Sequence, residues 1–545
     1  MDIRVRSRDN SDVRDEFGIH DGFNSFSNYD EIEDRRSSSE SSVSGRQSTL
    51  VETGFGQSVQ SGSDFRVEKT PRDPNEVGFD GPDDREDPLN MPTWRKWVIV
   101  LVIASASTCV TCASSMAAST YAGLQRSFHI SEEVAVLTVS FFVFGLGVGP
   151  LFLGPVSEFV GRRIVYVWSL LAFLLFTIPV ALSNNAPVHL IFRFITGFTG
   201  SAFLAVAGGT VADLFETRKL GTPMTVYSTT PFLGPVLGPL IAGFINYNVD
   251  WRWTYYVLMI WAGIDFVLVF LFVPETYQPE LLRRKAVRLR SSTGNQDLYA
   301  PIEHNGRSFW HQLGVGLKTP IFVIARQLMA VLLSFWVALV LGILYLFFNA
   351  FPITFMGKHS FNQQQAGLSF LGIGIGQLCA ALSTPIWSRV YKRASAKHGG
   401  HAPPEARLIM GMAGAIAVPV GIWIFAFTTY RHVHWIWPII GSIPFGAGTV
   451  WTFNSVFSYL VDAYRPVSAS CLSFNSFVRC TFAAGFPLFA RQMYDRLGTV
   501  GASALLAGLV TCMIPLPFVF YRIGARIRQQ SDLSLHGEKA EVMKR

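Results

Sequence analysis

Beyond residue 93 the chain is a succession of apolar runs, each near the length needed to cross a hydrocarbon core of roughly 30 Å, separated by short polar breaks. Twelve can be drawn: 97–118, 134–154, 164–182, 187–212, 223–246 and 253–273, then 331–354, 365–386, 408–428, 435–458, 467–489 and 500–521. The spacing predicts an all-α membrane protein of 12 transmembrane helices in two six-helix bundles, 94–273 and 331–521. Between them lies a polar loop, 274–330, holding Arg283, Arg284, Lys285, Arg288 and Arg290. Residues 1–93 have low hydrophobicity, mixed charge and a serine cluster at 37–44, and are expected to be a disordered tail; 522–545 form a short polar one. With no secretory signal peptide at the start, the first span would serve as the targeting signal.

Composition agrees with that pattern. Half of the 545 residues are hydrophobic and 15% are charged, a balance too apolar for a soluble protein of this size. Charge is unevenly spread. Residues 1–93 carry 21 Asp and Glu against 11 Lys and Arg, which leaves 17 acids and 34 bases for the rest. That basic excess is expected to face anionic lipid, not nucleic acid. The loops also set orientation. Those joining spans 2–3, 4–5, 6–7, 8–9 and 10–11 hold 18 Lys and Arg, whereas the other loops hold Arg126, Arg252, Lys358, Arg431, Arg491 and Arg496. Both termini are therefore expected in the cytoplasm. The six cysteines all fall within apolar runs, which argues against a disulfide framework, and no metal-ligand cluster accompanies Cys109 and Cys112.

The most informative local feature is the turn between spans two and three, where Gly145, Gly147, Gly149 and Gly154 lead to Glu158, Gly161, Arg162 and Arg163. Glycines allow close helix approach, and the charges must lie at the membrane edge because burying one at bilayer depth costs roughly 2.5–3.5 kcal/mol. A shift of 227 residues lays Gly145, Gly147, Gly149 and Arg162 on Gly372, Gly374, Gly376 and Arg389, so the chain is expected to contain a degenerate repeat. Span five carries Gly234, Pro235, Gly238, Pro239, Ala242 and Gly243, a small-residue stripe with two prolines expected to bend it. Arg193 in span four and Asp265 in span six are charges at membrane depth, either functional or paired structurally. Tyr345, Asn349, Gln377, Trp451, Asn454, Asn475 and Arg479 are candidate linings of a substrate cavity, or interhelical hydrogen-bonding groups.

The Gly-x-x-x-Glu-x-x-Gly-Arg-Arg turn resembles the signature between the second and third helices of major facilitator transporters. The glycine–proline run of span five resembles the antiporter motif of exporters in that superfamily, with Ala242 replacing one glycine. Asp250-Trp-Arg-Trp253, Val273-Pro-Glu-Thr276 and Val461-Asp462-Ala-Tyr464 are similar to strings in the fungal twelve-span drug:proton antiporters, and the resemblance covers about residues 84–525. It implies a plasma-membrane exporter of drugs, fungicides or a self-made toxin, driven by protons and rocking two bundles about a central site. It also implies that Arg193, with Asp265, takes part in proton coupling, and that Glu158, Arg162, Arg163 and Asp213 form a gating charge cluster. No Gly-x-x-x-x-Gly-Lys-Ser/Thr string occurs, so ATP is not the expected energy source. The expected partners are thus a small molecule, protons and the bilayer, with no cofactor, metal or nucleic acid and no enzymatic chemistry. A proton-driven importer, or a non-transporting sensor of the same fold, is the alternative.

Overall fold

The computed structural model describes residues 75–81, 84–216, 219–304, 314, 327–397, 403–464 and 468–529. The first six spans are α1 (Thr93–Met116), α2 (Glu132–Val160), α3 (Arg162–Leu182), α4 (Ala186–Gly200), α5 (Gly221–Asn248) and α6 (Arg252–Phe272). Short segments Ala202–Ala205 and Ala207–Leu214 prolong α4. A polar helix, α7 (Gln278–Thr293), follows. The second set comprises α8 (Leu328–His359), α9 (Leu371–Leu382), α10 (Leu408–Thr428), α11 (Ile436–Ala463), α12 (Ser468–Cys512) and α13 (Pro515–Gln529). Short helices Gln363–Leu368 and Thr384–Lys397 extend α9 at its two ends.

Among the described residues, ten helical runs are long and apolar enough to cross a membrane. The last of them, Ser470–Ile527, has 58 residues, about 87 Å of helix at 1.5 Å per residue, which is two crossings. It folds back at Gly498, whose φ of 68° and ψ of 170° lie outside the helical region. With α11, whose Thr449, Thr452, Asn454 and Ser455 dilute its apolar character, this gives the twelve expected spans.

The two halves repeat one packing scheme. In the first, α1 packs on α5, α4 on both α2 and α3, and α6 on α3; in the second, α8 packs on α12, and α11 on both α9 and α10. The halves meet along α2 with α12 and along α5 with α9 and its leading helix. Glycine makes the closest of these approaches possible. A Cβ on Gly145 would strike the Phe194 carbonyl, and one on Gly197 the Phe142 carbonyl; Gly376 and Gly446 stand in the same relation to the Ile443 and Ile373 carbonyls. These contacts correct the register of the repeat. Gly145 corresponds to Gly376 and Phe142 to Ile373, a shift of 231, one helical turn beyond the 227 at which the glycines align in sequence.

Two further expectations are revised. Residues 75–81 and 84–92, read as part of a disordered tail, have defined structure: the Val77 N–H donates to the Tyr299 carbonyl, and Pro88–Asn90 form a 3-10 turn capped by Asp87. They lie against α7, where Val77, Leu282, Ala286 and Ala300 bury a small separate core. The basic residues of α7 are largely matched by acids: Lys285 with Asp80 and Asp84 at 2.7 and 3.2 Å, Arg288 with Glu86 at 2.9 Å, Arg290 with Glu303 at 2.6 Å. Part of the basic excess therefore faces the chain's own acids instead of lipid. The prolines Pro231, Pro235 and Pro239 lie within one helix, α5, from Gly221 to Asn248. The carbonyl freed by Pro231 is that of Tyr227, and it accepts the Thr230 hydroxyl at 2.9 Å. The segment 1–74 lies outside the described residues.

Candidate functional sites in the membrane

The charged turn is built around Gly161, whose φ of 92° favours glycine and lets α3 start one residue after α2 ends. Glu275 caps it. Its carboxylate accepts the backbone N–H groups of Arg162 (2.9 Å), Arg163 (3.2 Å), Thr276 (3.0 Å) and Tyr277 (3.0 Å), satisfying donors at the α3 N-terminus. The Arg162 side chain turns to α4, where its Nε donates to Asp213 Oδ2 at 2.5 Å with both groups about nine-tenths buried. Gly209 leaves room for the guanidinium, since a Cβ there would lie 2.6 Å from it, and Tyr277 covers it with ring centroid at 5.2 Å.

Of the expected four-member cluster, Arg162 and Asp213 form the direct ion pair, and the Glu158 carboxylate lies in electrostatic contact with both. Glu158 is exposed at the end of α2 and makes no ion pair among the described residues, and Arg163 Nη2 donates to the Phe270 carbonyl at 3.1 Å. Gly161 interrupts the helix between Glu158 and Arg162, so the two do not meet as an i,i+4 pair of one helix.

The second half has an equivalent pair that the sequence alignment misplaced. Arg407 Nε donates to Asp462 Oδ2 at 2.7 Å, 8% and 7% exposed, with the Tyr391 ring 3.9 Å from the guanidinium. Arg389, aligned with Arg162 by the 227 shift, is exposed on the Thr384–Lys397 helix. That extra helix delays the functional arginine to the start of α10.

Arg193, on α4, is 2% exposed and has no acid beside it. Its Nε donates to the Thr138 carbonyl of α2 and its Nη2 to the Ala113 carbonyl of α1, both at 3.0 Å, and Phe142 lies 4.2 Å from its Cζ. It ties three helices together. Asp265 faces α1 elsewhere: Oδ1 accepts the Ser105 hydroxyl at 2.8 Å, Ser105 accepts from Trp261 Nε1 at 3.1 Å, and Oδ2 has no partner. The structure does not bring Arg193 and Asp265 together.

Of the cavity candidates, Tyr345 joins the two halves through a 2.8 Å hydrogen bond to Ser114 of α1. Arg479 on α12 lies under Phe453 and Phe457 of α11, at 5.4 and 5.1 Å, and Phe453 meets Phe232 of α5 at 5.0 Å. Gln377 is fully buried with both amide atoms unpartnered, and Asn349 Nδ2 is unpartnered too. Two candidates have structural partners: Trp451 donates to Ser383 at 2.9 Å, and Asn475 donates to Ser334 at 3.1 Å. Asn454 is half-buried on α11.

The family model described as Major Facilitator Superfamily matches residues 103–487, well over half of the chain. The chain belongs to the major facilitator superfamily. Among its relatives within this superfamily is "Efflux pump atB" of Aspergillus terreus, 42% identical over 482 residues, 87% of this chain and 93% of the other. The "Probable drug/proton antiporter YHK8" of Saccharomyces cerevisiae is 40% identical over 444 residues, 81% and 86% of the two chains. A crystal structure of a D-xylose-proton symporter has the same fold, with a TM-score of 0.55 at 17% identity, over 78% of this chain and 97% of that one.

Several residues that organise this major facilitator chain were not singled out from sequence. Glu275 was visible only within a family string, and nothing in its spacing announces the two backbone donors, Arg162 and Arg163, that lie more than a hundred residues away. The motif of α5 has two partners: Gly234 and Gly238 abut Thr111 and Ser115 of α1, while Pro239 and Gly243 abut Gly367 and Gln363 of the other half. Polar contacts between the halves also gather at the end away from the charged turn, with Arg491 to Glu132 at 3.1 Å and Gln363 to the Ser119 carbonyl at 2.8 Å.

Proposed function

We infer that this chain is a proton-coupled exporter of apolar or amphipathic small molecules, acting in the plasma membrane with both termini in the cytoplasm. One observation carries the reading. The glycine–proline stripe of α5 packs on α1 of its own bundle and on the Gln363–Leu368 helix of the other, so the residues that resemble the exporter motif also form the surface between bundles. Relatives that are 40–42% identical and bear the names efflux pump and drug/proton antiporter support the same direction.

In this orientation the Arg491–Glu132 and Gln363–Ser119 contacts close the outer end, and the charged turn lies at the cytoplasmic end. Rocking the bundles would open the first and bring the second under load. Arg193 cannot itself release a proton, but its bonds to α1 and α2 let substrate and proton compete for the arrangement of those helices. Asp265, with one free oxygen against α1, is the proposed titrating partner, acting through α1 and not by contact.

Cells overproducing the chain should accumulate less of a fluorescent amphipathic dye than cells without it, and a protonophore should remove the difference. Greater accumulation that follows an inward proton gradient would instead establish an importer.

A further inference from the structure

Among the described residues, three buried arginines of this helical body have their charge answered. Arg162 and Arg407 meet Asp213 and Asp462, and Arg193 donates to two carbonyls. Arg479 differs. Its Nη2 reaches the Ser476 hydroxyl at 3.4 Å, its Nε has no partner, its neighbour in electrostatic contact is the Cys480 thiol, and no carboxylate pairs with it among the described residues. A guanidinium at that depth with unsatisfied donors is expensive, and its five N–H groups match a carboxylate or sulfonate fork.

Its position is that of a ligand site. The Phe453 ring over it meets Phe232 of α5, so both bundles contribute to its surroundings, and its charge acts on the phenols of Tyr227 on α5 and Tyr345 on α8. Phe453 and Phe457 cover it, and Phe232 extends the aromatic wall into the first bundle. On α8 and α9, Asn349 and the fully buried Gln377 also hold unpartnered polar atoms. A buried polar group left without a partner costs about 1–3 kcal/mol, a penalty that a bound polar ligand or water removes.

We propose that Arg479 anchors the substrate, and that the substrate class is an organic anion with an aromatic or apolar body: acid group on the guanidinium, body against Phe453, Phe457 and Phe232. The assignment deepens the exporter reading and rests on it only for the direction of movement.

The test is binding of two dyes that share a xanthene frame and differ in charge, fluorescein (anionic) and rhodamine 123 (cationic), to the purified full-length chain in detergent, followed by anisotropy. Fluorescein should bind the more tightly, and R479Q should weaken it by about tenfold or more, with R479K restoring part. An arm that needs no variant uses the wild-type chain: naphthalene-1-acetate should displace fluorescein about tenfold better than the uncharged naphthalene-1-acetamide. Tighter binding of rhodamine 123, equal binding of fluorescein by R479Q, or equal displacement by acid and amide overturns the proposal. Movement of fluorescein into cells instead of out of them would uphold the anion site while removing the exporter reading.

Discussion

The two bundles carry the same latch and differ in almost everything around it. Arg162–Asp213 and Arg407–Asp462 each join an arginine Nε to an aspartate Oδ2, are similarly buried, and lie beside a tyrosine ring. The first is set by a one-residue glycine turn and capped by Glu275 from beyond α6, whereas the second follows the 14-residue helix Thr384–Lys397. Inside the membrane the halves diverge further. Gly197 and Gly446 play the same packing role, a shift of 249, and that shift sets Arg193 against Ser442, whose hydroxyl merely bonds the Ile439 carbonyl at 2.6 Å. The lesson is that duplication preserved the helix contacts and the end latches, which both halves need to fold, while the charges at membrane depth specialised. The first bundle holds Arg193 and Asp265, and the second holds Arg479.

The largest effect should come from breaking that specialisation. Arg193→Ala is expected to abolish proton-driven dye efflux, while Ser442→Ala, at the matching position, should keep the rate within about twofold because its hydroxyl bonds only its own helix. Equal losses in the two variants would mean that position in the fold matters and the charge does not.

The latches should respond alike in stability. Arg162→Ala or Arg407→Ala strands a buried aspartate and should cost about 3–5 kcal/mol, read as a lower melting temperature of the purified protein. The exchange Arg162→Asp with Asp213→Arg should recover more than either single change. Failure of the exchange to recover any stability or transport would show that Glu275 and Gly209 fix the polarity of the pair.

A smaller change is expected at Asp265. Asp265→Asn keeps an acceptor for Ser105, so the fold should hold, with partial loss of efflux and a displaced pH optimum. Normal transport of this variant from about pH 5 to 8 would make Asp265 structural and leave coupling to Asp213 or Asp462.

The smallest effect belongs to the clamp of residues 75–81 and 84–92 on α7. Burial alone would raise the Asp84 carboxyl, but the amides of Asp80 and Glu86 and the Lys285 ammonium more than offset it and hold it below its ordinary 3.8. Burial likewise opposes the Lys285 charge, yet the hydrogen bonds it donates to the Asp80 and Asp84 carboxylates keep it above 10.5. A depressed acid stabilises above its unfolded value and loses that contribution as pH falls through the folded one; a raised lysine does the converse at high pH. The clamp should therefore be insensitive to pH across the neutral range and release only in acid below 3.8 or base above 10.5. Lys285→Ala leaves the mostly buried Asp84 carboxylate without its ammonium, while Asp80 is exposed and loses little, so it should cost about 1–3 kcal/mol, measured as faster proteolysis before residue 93.

The sites were legible in proportion to how local they are. Gly161, Arg162 and Asp213 could be read because a charged break between apolar runs has few places to go. Glu158 belonged to the same motif, and whether it pairs directly with Arg162 depends on whether the helix continues through Gly161. The Arg407–Asp462 pair was missed because the inserted helix moves Arg407 out of the alignment, and the register of the repeat slipped by four residues because glycine spacing is ambiguous by one helical turn.

Sequence by itself determined the membrane-spanning class, the number of spans, their division into two sets and the end at which the basic loops gather, because bilayer thickness and the cost of buried charge act on each segment separately. Tertiary structure alone decided which arginine meets which carboxylate, that Glu275 caps α3, that residues 75–81 and 84–92 dock on α7, and that Arg479 pairs with no carboxylate among the described residues. Those outcomes depend on the rotation of each helix about its axis and on contacts between residues far apart in the chain, which no local pattern records.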